Sequence, residues 1–554
     1  MVDGQSPAVL VRYARSVFGP LRTLALIRMR DSTLQVIGAC AQGLEKGMTA
    51  AGHFSSDLAD LSALDLRRLI GARAVSPLEV LDACIARIHA VNPAVNALAA
   101  TDFERARVAA RQAGDALMRG DALGPLHGIP VGIKDLQETA GLLTTYGNVR
   151  FRDHVPAHDH SMVSRLRKAG AIIAAKTNTP DMGAGANTQN AVWGATGNPF
   201  NPTLNAGGSS GGSTVALATG MLPLATGSDL GGSLRIPAAM CGVAGLRPSA
   251  GLVADTARSL GWSALSVVGP MARSIADMAL LLSAMTGLDA GDPLSYPASA
   301  RDIWPLEPID LSTLRIAYTE DLGFCAIDED IRRVFRHRMA AISGRVHRCE
   351  PIDLALGEVD RTFDIARAES FVASFAKTLR EAPESLGPNI RANLEIASGI
   401  SLADRAWAHE EQTRIMRGLQ SVYERYDLLV SPVCSISPLP WPTLFATEVG
   451  GRTMRNYYEW VAPTYAITLT AHPALSLPCG LDEKGMPFGL QLVGPFRGDA
   501  RLLAMAHALE QSMADESALA RPRPNLSQLT QARPELRQIV THPPAAHLAA
   551  GALT

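Results

Sequence analysis

The 554-residue sequence has almost no excess of charge of either sign. Its 51 lysine and arginine residues stand against 53 aspartate and glutamate residues, which gives a formal net charge of −2. A chain without a basic excess has no general attraction to nucleic acid or to an anionic membrane surface. No apolar run reaches the ~20 residues of a membrane-spanning helix. We therefore expect a partner that is neither nucleic acid nor membrane.

Cysteine is scarce and follows no repeating spacing. The seven cysteines are scattered along the chain, without a C-x-x-C pair or the spacing of zinc ligands. An odd, dispersed set of this kind is typical of reduced thiols in a cytoplasmic protein. We accordingly predict a cytoplasmic protein that needs no metal and no cofactor.

Lysine is rarer still, because only six of the 51 cationic residues are lysines and the rest are arginines. Arginine is therefore the ordinary positive charge of this protein. A lysine inside a motif calls for a different explanation, since lysine, unlike arginine, can lose its proton when buried and act as a base. Lys134, in the apolar stretch "GIPVGIKD", is such a lysine.

Helical and strand-like patterns alternate along most of the chain. "HSMVSRLRKAGAIIAAKTN", for example, predicts a helix, a turn at Gly170 and a buried strand. With 47% apolar and 19% charged residues, the composition permits a large core and predicts one α/β domain. We place that domain at residues 48–520. An N-terminal extension (1–47), which we expect to be loosely structured or helical, precedes it, and a Pro-, Gln- and Ala-rich C-terminal tail (521–554), which we expect to be loosely packed, follows it.

The stretch "NAGGSSGGSTVALATG" (205–220) contains G-x-S-x-G around Ser210. That pattern marks a hydrolase nucleophile only where a strand runs directly into it. Here the preceding residues contain two prolines and three asparagines and predict a loop. A phosphate-binding loop is excluded as well, because G-x-x-x-x-G-K-[ST] is absent. The serines of this stretch therefore need another explanation.

A second serine-containing loop and a lysine explain the serines of this stretch. "GSDLGGSLRIPA" places Ser233 24 residues after Ser209, and Lys134 lies upstream of both. Together with "KTNTPDMG", "GLRPSAG", "YDLLVSPV" and "FGLQLVGP", in that order, these motifs resemble the amidase signature family of serine hydrolases. The resemblance runs from about residue 50 to about residue 520. It implies a central mixed, twisted sheet covered by helices on both faces.

The resemblance also implies a Ser-cisSer-Lys triad. Ser233 matches the nucleophile that forms the acyl-enzyme, Ser209 the bridging serine in a cis peptide, and Lys134 the base; Ser210 is then structural. A neutral lysine requires desolvation, which the apolar flanks provide. Asp135 follows Lys134 directly, but on a strand the two side chains lie on opposite faces, so Asp135 need not hold the lysine charged.

The loop before Ser233 is a candidate for stabilising the oxyanion. Consecutive backbone N–H groups of Leu230, Gly231, Gly232 and Ser233 can face a tetrahedral intermediate. We expect Asp229 and Arg235, on either side of this loop, to form a supporting ion pair.

Three histidines, His154, His158 and His160, invite a metal-site interpretation. No cysteine or H-E-x-x-H pattern accompanies them, so we interpret the segment as a solvated polar loop.

The sequence predicts the class of substrate less directly than it predicts the triad. The segment that matches the family's acyl pocket, Met182-Gly183-Ala184, is small and uncharged. Phe371, Phe375 and Leu379 recur at i, i+4 and i+8, which fits either an apolar channel or ordinary core. Three tyrosines and Trp460 lie in a segment (456–480) that borders the pocket in relatives. We expect a small neutral, hydrophobic amide, such as an aryl or acyl amide, an anilide or a carbamate.

Two other functions stay open. The chain is also compatible with the glutaminase subunit (A-type) of a tRNA-dependent amidotransferase, which works inside a complex, and with a catalytically silent relative. A homodimer is compatible with the sequence too.

Overall fold

The computed structural model describes residues 58–549. The predicted N-terminal extension (1–47) lies outside the described residues. Within them the α-helices, labelled α1 to α15 in chain order, are Ala63–Gly71, Pro77–Val95, Phe103–Arg119, Ser161–Lys168, Gly211–Ala218, Arg235–Cys241, Ile275–Met285, Ala300–Ile303, Glu329–Ser343, Val359–Glu381, Pro388–Ser398, Leu402–Gln420, Ala462–Thr470, Asp499–Met513 and Ala546–Ala549. No helix among the described residues has both the length and the apolar character that crossing a membrane requires.

The strands of the same part of the chain, labelled β1 to β15, are Leu98–Thr101, Pro130–Lys134, Ile172–Thr177, Gln189–Asn190, Gly194–Ala195, Leu224–Asp229, Ala244–Arg247, Val267–Ala272, Arg315–Tyr318, Arg348–Pro351, Leu428–Pro432, Glu448–Val449, Arg452–Thr453, Ala474–Leu481 and Pro487–Val493. Eleven of them form one sheet in the order β1-β3-β2-β6-β8-β7-β14-β15-β11-β9-β10. Parallel and antiparallel pairs both occur, for example β2 with β3 and β6 with β8. Helices flank this sheet, so the predicted mixed α/β fold is confirmed.

Local sequence signals account for several element boundaries. Helix α2 begins after Ser76, whose hydroxyl accepts a hydrogen bond from the Glu79 N–H while the Glu79 carboxylate accepts one from the Ser76 N–H. This reciprocal capping satisfies backbone donors that the first turn leaves unpaired. The apolar stripe that the sequence predicts on this helix, including Val80, Leu81 and Ile88, is buried.

The strand order brings three strand ends to one edge of the sheet. Strand β2 pairs in parallel with both β3 and β6, so all three run in the same direction. Strand β2 ends at Lys134 and β6 ends at Asp229. Because the carboxyl ends of parallel strands meet at one edge, the loops that follow them converge there.

The segment after residue 520 differs from the loose packing expected of it. Leu529 and Leu536 are buried, and the Arg533 N–H donates to the Pro93 carbonyl at 3.0 Å. Leu536 packs with Ala195 and Trp441. Apolar residues spaced through a polar, Pro-rich segment anchor it to the domain, which the overall composition does not reveal. The domain boundary at 520 stays a prediction.

Candidate active site

Lys134 lies at the end of β2, fully buried, with two serine hydroxyls around its amine. Its Nζ is 2.7 Å from Ser209 Oγ and 3.0 Å from Ser228 Oγ. Burial disfavours the ammonium form and lowers the pKa of Lys134 to about 7, although the Asp229 carboxylate opposes the shift. A lysine with this pKa is neutral in a large fraction of molecules at neutral pH.

Asp135 faces away from Lys134, as expected for consecutive residues at the end of a strand. Its Oδ2 accepts a hydrogen bond from the Thr145 hydroxyl at 2.6 Å, and its Oδ1 is 3.9 Å from Nζ of Lys176. Asp135 therefore serves the other buried lysine, and the expectation that it need not hold Lys134 charged is confirmed.

Ser209 is placed by a loop that fits closely against neighbouring backbone. The Gly208–Ser209 peptide bond is cis, as the resemblance implies. A Cβ atom at Gly208 would lie 2.8 Å from the carbonyl carbon of Ala186, and one at Gly212 would lie 2.2 Å from the Asn178 nitrogen. Glycine is needed at both positions, because any side chain would push the loop away from its neighbours.

Ser210 joins its loop to the central sheet. It is fully buried, its hydroxyl lies 3.5 Å from the Ser228 carbonyl, and it accepts a hydrogen bond from the Ser228 N–H at 3.4 Å. Ser210 thus ties its loop to strand β6, which agrees with a structural role. It has no contact with the amine of Lys134.

The Ser233 loop is organised around the buried carboxylate of Asp229. Its Oδ1 accepts from the Gly232 N–H at 2.7 Å, and Arg235 donates to both carboxylate oxygens at 3.0 Å. Burial opposes ionisation, but the charges of Arg235 and Arg247 outweigh burial and lower the pKa of Asp229 to about 2. The predicted Asp229–Arg235 ion pair is confirmed, and it fixes the turn that presents Ser233.

The Gly232 N–H, one of the donors expected to face the oxyanion, is bound within the protein. Its acceptor is Asp229, and a Cβ atom at Gly232 would lie 2.2 Å from Thr464 Oγ1, so the residue points into the protein. The backbone N–H groups of Gly231 and Ser233, by contrast, have no acceptor within residues 58–549. The carboxylate of Asp229 thus competes for one of the expected donors, which a loop sequence alone does not show.

Ser209, Ser228 and Ser233 line one cavity, which we call the serine cavity. Leu230, Gly231, Met182 and Gly183, all predicted to bind substrate, line it as well, whereas Gly232 does not. Its other walls are largely apolar and aromatic: Leu136, Ile236, Phe363, Phe371, Phe375, Tyr457, Tyr458 and Val461. The structure thus brings the predicted triad and most of the predicted pocket to one place.

The aromatic residues singled out in the sequence divide between cavity wall and core. Phe371 and Phe375 line the serine cavity, but Leu379, the third residue of that stripe, is 39% exposed and lies outside it. Tyr465 is buried behind the wall, where it stacks on Phe363 with ring centroids 4.3 Å apart. Two of the three residues therefore have the position that the channel interpretation requires, and the third does not.

Sequence reasoning missed Ser228 and Arg367 in the serine cavity. Ser228 lies five residues before Ser233 in the same motif, but its contact with Lys134 depends on the pairing of β2 with β6. Arg367 lies one turn before Phe371 on α10 and shares its face, so the periodicity that picked out the phenylalanines could have found it.

The three histidines have separate surroundings. His158 is exposed, whereas His160 is buried, with its Nε2 3.0 Å from Asp255 Oδ1 and its Nδ1 accepting the Met162 N–H at the start of α4. The solvated-loop interpretation is therefore wrong for His160, which caps a helix. No cluster of three or more metal-ligating side chains occurs in the described part of the chain.

A family profile described as Amidase matches residues 79–503. The protein is therefore an enzyme of the class of hydrolases that cleave amide bonds. More narrowly, it belongs to the amidase family whose signature motifs its sequence carries.

Similar proteins include an acylamidase and an amidotransferase subunit. An acylamidase from Rhodococcus erythropolis is 32% identical over 456 residues, which are 81% of this chain and 95% of that protein. The A-type subunit of the glutamyl-tRNA(Gln) amidotransferase from Roseiflexus castenholzii is 31% identical over 481 residues, 82% of this chain and 96% of that protein. The crystal structure of a bacterial aryl acylamidase of the amidase signature family superposes with a TM-score of 0.78 at 25% identity, covering 86% of this chain and 99% of that one.

Proposed function

We propose that the protein hydrolyses a hydrophobic aryl or acyl amide through an acyl-enzyme on Ser233, with Ser209 as the proton relay and Lys134 as the base. The observation that carries this proposal is the 2.7 Å contact between Lys134 Nζ and Ser209 Oγ on the cavity that Ser233 also lines. A serine hydroxyl needs an adjacent base to become a good nucleophile. In this site the base is a buried lysine whose pKa is lowered to about 7.

The proton path follows from the donors and acceptors around the amine. A neutral amine has two N–H donors and one lone pair. One N–H donates to Ser228 Oγ at 3.0 Å, which leaves the lone pair for the Ser209 hydroxyl proton. As Ser233 attacks, its proton passes to Ser209 and the Ser209 proton passes to Lys134. The reverse transfer protonates the departing amine, which amide cleavage needs because an amide anion is a very poor leaving group.

The oxyanion of the tetrahedral intermediate would be held by the loop before Ser233. The free N–H groups of Gly231 and Ser233 support this role, and Leu230 lies beside them on the cavity wall. Loss of one such donor costs about 3–4 kcal/mol in other hydrolases. The buried pair of Arg235 and Arg247 around a single carboxylate, Asp229, leaves an excess positive charge below the loop that also favours an oxyanion.

The substrate proposal rests on the walls next to Ser233. Met182, Gly183, Ile236 and Phe363 present no charge there, so the groups that flank the scissile bond are neutral and apolar. The similarity to an acylamidase and to an aryl acylamidase supports an anilide-like substrate, with a carbamate as the chemical neighbour.

The test is amine release by the purified chain alone. The panel contains anilides of increasing acyl length, primary amides, aryl carbamates and glutamine, and Ser233→Ala is the control. Aromatic amine release that vanishes in Ser233→Ala is the expected result. An inert chain with an intact fold would instead support a catalytically silent relative.

A second candidate is the glutaminase subunit of a tRNA-dependent amidotransferase, favoured by the 31% identity to the protein from Roseiflexus castenholzii. That function predicts hydrolysis of glutamine, or no turnover until partner proteins are added. Hydrolysis of anilides by the isolated chain contradicts it.

We further propose a cytoplasmic enzyme that acts without a cofactor, alone or as a homodimer. The buried, scattered cysteines, such as Cys241 and Cys479, support a reducing compartment. Sedimentation of the purified enzyme distinguishes a monomer from a dimer.

A further inference from the structure

The serine cavity contains a buried positive charge that the proposed chemistry does not use. Arg367 on α10 lines the cavity and is 7% exposed. Among the described residues that line this cavity, Arg367 is the one that carries a formal charge. A buried charge is costly unless an opposite charge or several hydrogen bonds compensate for it.

The hydrogen-bond partners of Arg367 are neutral. Its Nε donates to Asn393 Oδ1 at 3.0 Å, and its Nη2 donates to the Tyr457 hydroxyl at 2.6 Å. No carboxylate of the described chain comes within 4.0 Å of the guanidinium, since none of the ion pairs found between residues 58 and 549 includes Arg367. The protein itself thus leaves the charge unneutralised.

The nearest candidates on the same helix are engaged elsewhere. Asp364 pairs with Arg455 at 2.9 Å and accepts from the Tyr458 hydroxyl at 2.7 Å. Glu369 pairs with Arg405. Both carboxylates are therefore paired with other arginines.

Aromatic rings compensate only part of the free-energy cost of burying the Arg367 charge. The guanidinium carbon lies 4.6 Å from the ring centroid of Phe371, 5.0 Å from that of Tyr458 and 5.6 Å from that of Tyr457. Such cation–π contacts stabilise a cation but carry no net negative charge.

Hydrogen-bond donors are left over on this wall of the cavity. A guanidinium has five N–H groups, and two of those of Arg367 are used. The Tyr457 oxygen accepts from Arg367 and, at 2.5 Å, from Asn393 Nδ2, so both of its lone pairs are occupied and its own proton has no acceptor within residues 58–549. Arg367 and Tyr457 therefore offer donors, and one positive charge, without a matching acceptor from the protein.

We propose that Arg367, with the Tyr457 hydroxyl, binds a carboxylate of the substrate, so that the enzyme acts on acidic amides. This inference rests on the proposed amide hydrolysis and adds a substrate class to it. The planar guanidinium matches a carboxylate with two parallel hydrogen bonds. The substrate is then neutral at the scissile bond and anionic beyond it, in contrast to the fully neutral amide expected from the sequence.

The position of Arg367 sets where the carboxylate lies. Phe363, one turn earlier on α10, packs beside the catalytic loop, since a Cβ atom at Gly231 would be 3.0 Å from its ring. One helical turn is about 5.4 Å long. The carboxylate is therefore separated from the reacting carbonyl by a spacer of a few carbon atoms or one aromatic ring.

Matched substrate pairs test this proposal. On the acyl side the pair is glutaryl-4-nitroanilide and its methyl ester, and on the amine side it is 4-acetamidobenzoate and its methyl ester. We expect the acid to exceed the ester in kcat/KM by at least about tenfold in one pair, the value of one charge-assisted hydrogen bond. Equal values, or a preference for the ester, in both pairs would overturn the proposal.

Variants separate charge recognition from packing. Arg367→Met removes the charge, and we expect it to lose about tenfold to a hundredfold on the acid and less than about threefold on the ester. Arg380→Met, an exposed position on the same helix, is the matched control and changes neither. Tyr457→Phe removes the hydroxyl while the ring stays, and it weakens the acid alone. An equal loss on acid and ester in Arg367→Met would contradict the proposal.

A binding measurement keeps this test separate from the proposed hydrolysis. The same pairs are titrated calorimetrically into Ser233→Ala, which cannot turn them over. Tighter binding of the acid supports the role of Arg367 even if no substrate of the panel is hydrolysed, whereas equal binding overturns it. If the amide bonds of the acids and of their methyl esters were hydrolysed at equal rates, the proposed amide hydrolysis would be supported and the carboxylate site would be contradicted.

Discussion

Two buried lysines on neighbouring parallel strands have opposite surroundings. Lys134 ends β2 and is paired in register with Thr177, while Lys176 on β3 is paired with Ile133. Since paired residues share a face and consecutive residues alternate, the two lysines extend from opposite faces of the sheet. Both are completely shielded from solvent.

Their neighbours decide what each lysine does. Lys176 donates to the Gln137 carbonyl and to the Thr139 hydroxyl, and Asp135 lies 3.9 Å away. Burial lowers the pKa of Lys176 and raises that of Asp135, and the attraction between the two charges opposes both shifts. Lys134 has hydroxyl partners and a pKa of about 7. Both lysines are thus buried, but Lys176 has a carboxylate 3.9 Å away that favours its ammonium form, whereas the amine of Lys134 contacts hydroxyl groups.

The largest expected difference between the two lysines is in activity. Lys134→Met removes the proposed base, and we expect kcat/KM to fall by about 10³-fold, within the range for general acid–base groups. Lys176→Met should stay within roughly tenfold of the wild type, because Lys176 does not line the serine cavity. Steady-state anilide hydrolysis at pH 8 gives kcat/KM for both variants. Similar losses in the two variants would contradict the different roles assigned to the two lysines.

The same two variants should change stability in opposite directions. Lys176→Met leaves the buried Asp135 carboxylate without its cation and lowers the free energy of unfolding by about 2–4 kcal/mol. Lys134→Met removes a group that burial penalises, and it raises the free energy of unfolding by about 1–3 kcal/mol at pH 7. Urea denaturation gives both values.

The pH dependence of unfolding tests whether the ionisation of Lys134 causes this second effect. Between pH 7 and 10.5 the unfolded wild-type chain holds a proton on Lys134 that the folded chain lacks. Its free energy of unfolding therefore rises with pH across this window. The advantage of Lys134→Met should shrink over the same window and vanish near its upper end. An advantage that is independent of pH would show that packing, not ionisation, is the cause.

The two lysines also show which contacts can be predicted from the sequence and which cannot. The motifs located Lys134, Ser209 and Ser233, and the alternation of a strand correctly separated Asp135 from Lys134. Lys176 and Ser228 could not be assigned, because their contacts depend on the register of β3 and β6 against β2.

Contacts between side chains and the backbone could not be predicted from the sequence either. Gly232 was predicted to bind substrate, but its N–H is taken by Asp229, a contact between a loop and a carboxylate three residues before it. The fold class follows from alternating helix and strand patterns, whereas the order of eleven strands joins segments hundreds of residues apart. Such pairings arise from packing over the whole domain and leave no local pattern.

A smaller effect on activity is expected from a substitution of Ser228, whose hydroxyl contacts the amine of Lys134. Ser228→Ala removes an acceptor that the ammonium form of Lys134 needs more than the neutral form does, so the pKa of Lys134 falls and the acid limb of the pH profile moves to lower pH. We also expect kcat/KM on the plateau to fall by about tenfold. Ser266→Ala, on the same cavity wall without a contact to Lys134, should leave the profile unchanged. A shift to higher pH would contradict this assignment.

The most direct test of the account is a titration of the lysine side chains by NMR. With six lysines in the chain, selective ¹³Cε labelling gives few signals, and Lys134→Met and Lys176→Met assign the two that matter. We predict that the Lys134 signal titrates with a midpoint near pH 7 and the Lys176 signal at higher pH. A Lys134 that stays an ammonium group beyond pH 9 would contradict its role as the base.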